Sequence, residues 1–209
     1  MRFTVFSAAL LLGLTACQED TPAPALDEPV VEQPSGDDFA VARLVGLTDT
    51  TVGGTVSFRA LGNDGVQIDY DLMGVSAGEH GFHIHQNGSC EPDSTGTPGG
   101  AAGGHFNPMG SPHGAPSASP SQRHAGDLGN ITVGGAANGV ARGSIADSVL
   151  ALSGPTDVIG KAVILHAGTD DLTTQPSGDA GDRVACGVVE AADGPVLPAP
   201  APSPAVTEE

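Results

Sequence analysis

"GVQIDYDLMG", Gly65 to Gly74, sets Val66, Ile68, Tyr70 and Leu72 against Gln67, Asp69 and Asp71 in strict alternation between two glycines. A period of two sends successive side chains to opposite faces, so the segment reads as a strand with one apolar and one wet face. Comparable runs lie near 40–48, 54–61, 79–85, 129–133, 139–146, 159–166 and 183–190, which predicts eight strands. Short Gly-rich turns join the first four, whereas 86–128 and 167–182 are long and irregular. Loops of that length inside a compact domain are usually functional or disordered. The expected fold is all-β, an eight-stranded antiparallel sandwich or barrel with its function in two long loops.

The composition agrees. Thirty-one Gly, 17 Pro, one Tyr and no Trp among 209 residues favour many turns, short strands and a core of Val, Leu, Ile and Ala. The formal charge of −18, with six basic residues beyond the leader, excludes a nucleic-acid binder, which must neutralise a run of phosphates. It equally disfavours docking on an anionic lipid surface.

The chain opens "MRFTVFSAALLLGLTAC", a basic residue followed by an apolar run short for a bilayer span, as in a secretory signal. Leu14-Thr15-Ala16-Cys17 resembles the bacterial lipoprotein signal, in which the cysteine is acylated and becomes the mature N-terminus. The expected organisation is a signal peptide at 1–16, then lipidated Cys17 with an acidic, Pro-rich tether to 38. One domain follows at 39–190, and 191–209 form a Pro-rich disordered tail. This places the protein in the bacterial cell envelope, on the periplasmic side and held to the membrane by its lipid. Once Cys17 is used, Cys90 and Cys186 remain, and an exported chain is expected to pair them.

Chemistry concentrates in the histidines. In "HGFHIHQNGSC", His80 to Cys90, a strand would turn Phe82 and Ile84 to one face and His83 and His85 to the other. Two imidazoles one strand repeat apart can grip a metal ion, although His-x-His alone is weak evidence. The chain adds His105 in "GGHFNP", His113 in "SPHG", His124 and Asp127 in "RHAGDLGN", and His166 at a strand end in "AVILHAGTDDL". Imidazole suits copper and zinc, and an aspartate completing a nitrogen-rich set suits zinc.

"GFHIH", "GGHFNP", "HAGDLGN" and "GDRVACGVV", met in that order, resemble the signatures of the copper–zinc superoxide dismutases, from about Phe39 to Glu190. The resemblance implies a Greek-key arrangement of the eight strands and a copper site of His83, His85, His105 and His166. It implies a zinc site of His105, His113, His124 and Asp127, with the His105 imidazole bridging the two metals. It further implies a Cys90–Cys186 disulfide, a structural His80, an Asp170 that links a copper histidine to a zinc histidine, and an Arg183 beside the copper. The implied reaction is dismutation of superoxide anion to dioxygen and hydrogen peroxide by alternating Cu(II) and Cu(I). Zinc is structural, His105 handles a proton and Arg183 receives the anion. Oligomeric state varies in such proteins, so a homodimer stays open.

A copper buffer without turnover and a copper-only dismutase are the rival readings. Storage needs neither the zinc residues nor Arg183, and the zinc set is complete. The chain departs from the eukaryotic pattern in a short loop between His166 and Arg183 that carries no lysine. Between His166 and Cys186 the basic residue Arg183 stands against Asp170, Asp171, Asp179 and Asp182. Attraction is therefore expected to be local to Arg183, with these acids opposing approach, unless Arg123 or Lys161 steers the substrate.

Overall fold

The alternation around Gly65–Gly74 becomes the third of eight strands in the computed structural model, which describes residues 38–135 and 139–195. The strands are β1 Phe39–Gly46, β2 Gly53–Ala60, β3 Val66–Met73, β4 Gly78–His85, β5 Asp127–Val133, β6 Ala141–Asp147, β7 Ala162–His166 and β8 Arg183–Ala191. All neighbouring pairs are antiparallel, in the order β5-β4-β7-β8-β1-β2-β3-β6. The two edge strands, β5 and β6, lie against each other, so the sheet curls into a nearly closed barrel and its open edges are covered. The connection from β3 to β4 crosses the barrel, as does that from β6 to β7, which gives the Greek-key order.

The inward residues of each strand make the core. Val56 and Phe58 of β2, Ile68 and Leu72 of β3, Phe82 and Ile84 of β4, and Val163 and Leu165 of β7 are buried in one cluster. Each such side chain contributes roughly 1.5–3 kcal/mol on leaving water, before ordering entropy is set against it. In β2 and β3 the other face stays wet, whereas β4 is buried on both faces from His80 to His85. The outward imidazoles of β4 are covered by the two long connections, 86–126 and 167–182. That covering turns a strand surface into an interior site.

The strand ends differ from the sequence reading where a turn intervenes. β7 starts at Ala162 because Gly160, at φ +75°, and the Lys161 amide bonded to the Val158 carbonyl make a turn of residues 158–161. β5 starts earlier than expected, since Asp127 pairs in register with His83 after an irregularity in β4 between Gly81 and His83. β1 ends at Gly46, and Thr51 is bonded through its amide to Asp49 in the turn that follows.

Cys90 and Cys186 are joined. The bond fastens the first long connection to β8, next to a small buried cluster of Ala102, Ala162, Ile164 and Cys186 under that loop. On the chain-entropy model a loop of this length is restrained by about 4–5 kcal/mol. Cys17 and the tail beyond Pro195 lie outside the described residues.

Candidate metal centre

β4 supplies His83 and His85 two residues apart, β7 supplies His166 at its end, and the first long connection brings His105 beside them through a bridge to His85. One ligand atom from each of these four residues lies within 4.8 Å of all the others, and all four residues are buried. A second set with the same closeness is His105, His113, His124 and Asp127, also buried. His105 belongs to both. Its ring centroid stands 4.0 Å from that of His83 on one side and 5.4 Å from that of His113 on the other.

The hydrogen bonds decide which atoms are available. His85 donates from Nδ1 to the Gly103 carbonyl at 2.9 Å, and His166 from Nδ1 to the Gly181 carbonyl at 3.1 Å. Their Nε2 atoms then face each other at 3.4 Å. His83 is reversed: its Nε2 meets Asp170 Oδ2 at 2.8 Å, and its Nδ1 has no hydrogen-bond partner. The Nε2 of His105 is likewise buried without one. Orphaned buried nitrogens are costly and rare, and four converging lone pairs are the donor set that copper takes. In the second set, Asp127 Oδ1 lies 2.7, 3.0 and 3.1 Å from the Nδ1 atoms of His105, His113 and His124. Three imidazole nitrogens and one carboxylate oxygen are a tetrahedral zinc donor set. The residues therefore fit both metals.

The surroundings fix these orientations. Asp170 Oδ1 accepts from His113 Nε2 at 2.9 Å while Oδ2 accepts from His83 Nε2, so one carboxylate ties a ring of each set. Asp127 Oδ2 accepts the amides of Gly114 and His124, which holds Oδ1 toward the rings. His80 belongs to neither set: its Nδ1 donates to the His166 carbonyl at 2.8 Å and its Nε2 meets Ser76. Burial lowers His105 to about 4 and His166 to about 3, and it depresses His85 well below the usual range. These rings are therefore neutral near pH 7, with lone pairs free to bind. Burial pulls His113 down too, but the Asp127 and Asp170 carboxylates outweigh it and raise the ring to about 9. A metal taking its Nδ1 displaces a proton there.

Arg183 and the rings of His85, His105, His124 and His166 line one open cavity, which is also lined by Asp93, Thr97 and Gln86. The guanidinium donates from Nη1 to the Gly99 carbonyl and from Nη2 to the Gly103 carbonyl at 2.6 Å. Gly103 also receives His85, so one carbonyl positions both the arginine and a ring of the first set.

Two expectations about charge are corrected. Arg123 is 2 % exposed and cannot steer an anion from solution, because it is paired with Asp147 at 2.5 Å and donates to the carbonyls of His124, Ala125 and Asp127. Asp170 is buried between two imidazoles and does not present its charge to an approaching ligand. Lys161 lies over the Phe106 ring at 4.9 Å. Sequence reading missed Gln175, whose amide brackets the backbone of His113, and Asn130, which pairs with the backbone of Asp170. Asn130 closes the quoted "HAGDLGN", where its polar amide at a strand interior was the available signal.

The chain matches the family described as copper/zinc superoxide dismutase over residues 52–189. It is 38% identical over 190 residues to "Superoxide dismutase [Cu-Zn]" of Deinococcus radiodurans, an alignment covering 88% of this chain and 93% of that one. Among solved structures it is similar to the clock protein EA4, with TM-score 0.64 and 36% identity over 74% of this chain and 94% of that one. β1 begins before the family match, yet it sits between β8 and β2 in the barrel.

Proposed function

The chain belongs to the copper/zinc superoxide dismutase family, and from that premise we propose how its residues divide the work. The protein is an oxidoreductase that uses copper and zinc to convert superoxide to dioxygen and hydrogen peroxide. The observation that carries the assignment of residues is the pair of four-donor sets sharing His105. His83 through Nδ1, with His85, His105 and His166 through Nε2, would hold copper. The Nδ1 atoms of His105, His113 and His124, with Asp127 Oδ1, would hold zinc. Copper supplies one-electron exchange in both directions, and zinc adds a redox-silent positive charge.

The protein groups do the rest. His105 Nε2 faces the first set while its Nδ1 is fixed in the second, so Nε2, when its lone pair is not engaged by a metal, is where a proton would be held and then passed to the reduced oxygen product. The zinc half keeps the ring from turning when that proton arrives. Arg183, pinned on the carbonyls of Gly99 and Gly103, receives the substrate anion at short range, where exclusion of solvent limits screening. Protein reconstituted with both ions should contain one copper and one zinc per chain, and His113→Ala should lose the zinc while keeping copper. A single metal per chain, or unchanged zinc in that variant, would contradict the two-site assignment. Arg183→Ala should lower kcat/KM by about 10–100-fold with both metals retained, the value of one charge-assisted anion contact. Arg183→Glu should lower it further, and unchanged activity in both would remove the role.

The chain is exported and anchored through a lipid on Cys17. The Leu14-Thr15-Ala16-Cys17 motif supports this reading, and so does the Cys90–Cys186 bond, which persists in oxidising compartments. Cys17→Ser should abolish acylation and release the protein from the membrane fraction. Continued acylation of that variant would refute the anchor.

A further inference from the structure

The cavity that holds Arg183 and the rings of His85, His105 and His166 is also lined by Asp93, an acid with no part in the mechanism above. Asp93 lies on the connection whose carbonyls hold Arg183. Its Oδ1 accepts the Thr95 amide at 2.8 Å, the Thr95 hydroxyl at 2.7 Å and the Thr97 amide at 3.1 Å, which fixes the carboxylate at the head of a turn. Oδ2 takes none of these bonds. It lies against Gly100, where a Cβ would stand 2.6 Å from it. Gly100 follows Gly99, whose carbonyl accepts the Arg183 guanidinium. The charge of Asp93 reaches that guanidinium: burial lowers the pKa of Arg183, and Asp93 acts against the lowering.

We propose that Asp93 sets the affinity and charge selectivity of the copper cavity for small anions, its fixed negative charge cancelling part of the attraction exerted by Arg183. The inference rests on Arg183 as the receiver of the anion. The chemistry gives such a brake a purpose. Superoxide is a monoanion that leaves as neutral dioxygen or hydrogen peroxide, so turnover does not require it to reside for long. A phosphate ion does not react and would only occupy the place. A negative charge beside the arginine weakens a dianion more than a monoanion, since the repulsion scales with the charge of the ligand. Asp93 therefore biases the cavity toward a univalent substrate.

The test uses metal-loaded protein at low ionic strength, with azide binding followed by the visible spectrum of Cu(II) and phosphate by its competition with azide. Asp93→Asn keeps an acceptor for Thr95 and Thr97 and removes the charge. It should tighten azide about three- to ten-fold and phosphate by more, with both gains shrinking as salt is raised. Asp93→Glu, which retains the charge, should stay within about two-fold of the parent, and Asp93→Asn should gain little in an Arg183→Ala background. Should Asp93→Asn fail to load metal, Asp93→Ser supplies the same neutral test with a shorter acceptor. Unchanged anion affinity in the neutral variants would overturn the inference, as would an equal gain for azide and phosphate, a gain that survives high salt, or one reproduced by Asp93→Glu. Arg183→Ala separates the two readings. If it leaves azide binding unchanged, the role of Arg183 falls; if it weakens azide while Asp93→Asn does nothing, only the present inference falls.

Discussion

Asp147→Ala is expected to destabilise the domain by about 3–5 kcal/mol and to weaken its hold on zinc, because it leaves a buried guanidinium without its counter-charge. In the folded protein Asp147 Oδ2 accepts from Arg123, while Oδ1 accepts the amides of Val149 and Leu150, both at 2.8 Å. Removal of the carboxylate orphans those amides together with the cation. The guanidinium also donates to the carbonyls of His124, Ala125 and Asp127, two of which belong to zinc-set residues. Its displacement therefore reaches the metal site through the backbone. Asp147→Asn keeps an acceptor for the amides and should cost less than Asp147→Ala, while Arg123→Leu combined with Asp147→Ala should recover part of the loss, since no uncompensated charge then remains. Urea unfolding of the metal-free and metal-loaded forms measures this directly. A loss below about 1 kcal/mol for Asp147→Ala would show that the three carbonyls alone satisfy Arg123.

Alternation was enough to read the strands and their two faces, while leaving sandwich or barrel open. Val66, Ile68 and Leu72 against Gln67 and Asp69 places each residue on its face without any knowledge of partners. His83 and His85 were legible for the same reason, being a local pair on one side of a strand, and the other members of the two buried sets stand in short quoted motifs. The relation between elements far apart in the chain was not legible. Arg123 reads as a surface cation from its neighbours, and only the return of β6 shows that Asp147 meets it 24 positions later. Asp93 sits in a polar stretch, "EPDSTGTPGG", with nothing periodic to aim it at an arginine 90 positions away. Asp170 and Asp171 are adjacent and chemically identical, yet one is buried between two rings and the other is an exposed turn former bonded to Thr173 and Thr174. Burial of the loops, which makes these distinctions, has no signature of period two.

Asp170→Asn is the substitution expected to separate the two metals. The parent carboxylate accepts from Nε2 of His83 and from Nε2 of His113, so each ring keeps a proton on Nε2 and offers Nδ1 to a metal. An asparagine has the same shape but one acceptor oxygen, and its NH2 group must face one of the two ring N–H groups, donor against donor. One ring then has to rotate or move its proton to Nδ1, and in either case it stops being a ligand. His83 is held in the middle of β4, in register with Ile164 and with Asp127. His113 lies on a long connection, where its main chain is bracketed by Gln175 rather than by a sheet. The looser ring gives way. Zinc affinity should fall by about 10–100-fold, the usual effect of losing a partner behind a ligand, while copper affinity falls by less than about ten-fold. Asp170→Ala removes the acceptor without creating the donor clash and should weaken zinc to a smaller extent than Asp170→Asn. Competition titrations with a chelator for each metal give both affinities in the two variants. Equal losses of copper and zinc in Asp170→Asn would mean that His83 yields as readily as His113, and unchanged zinc would show that the second set holds its geometry without the bridge.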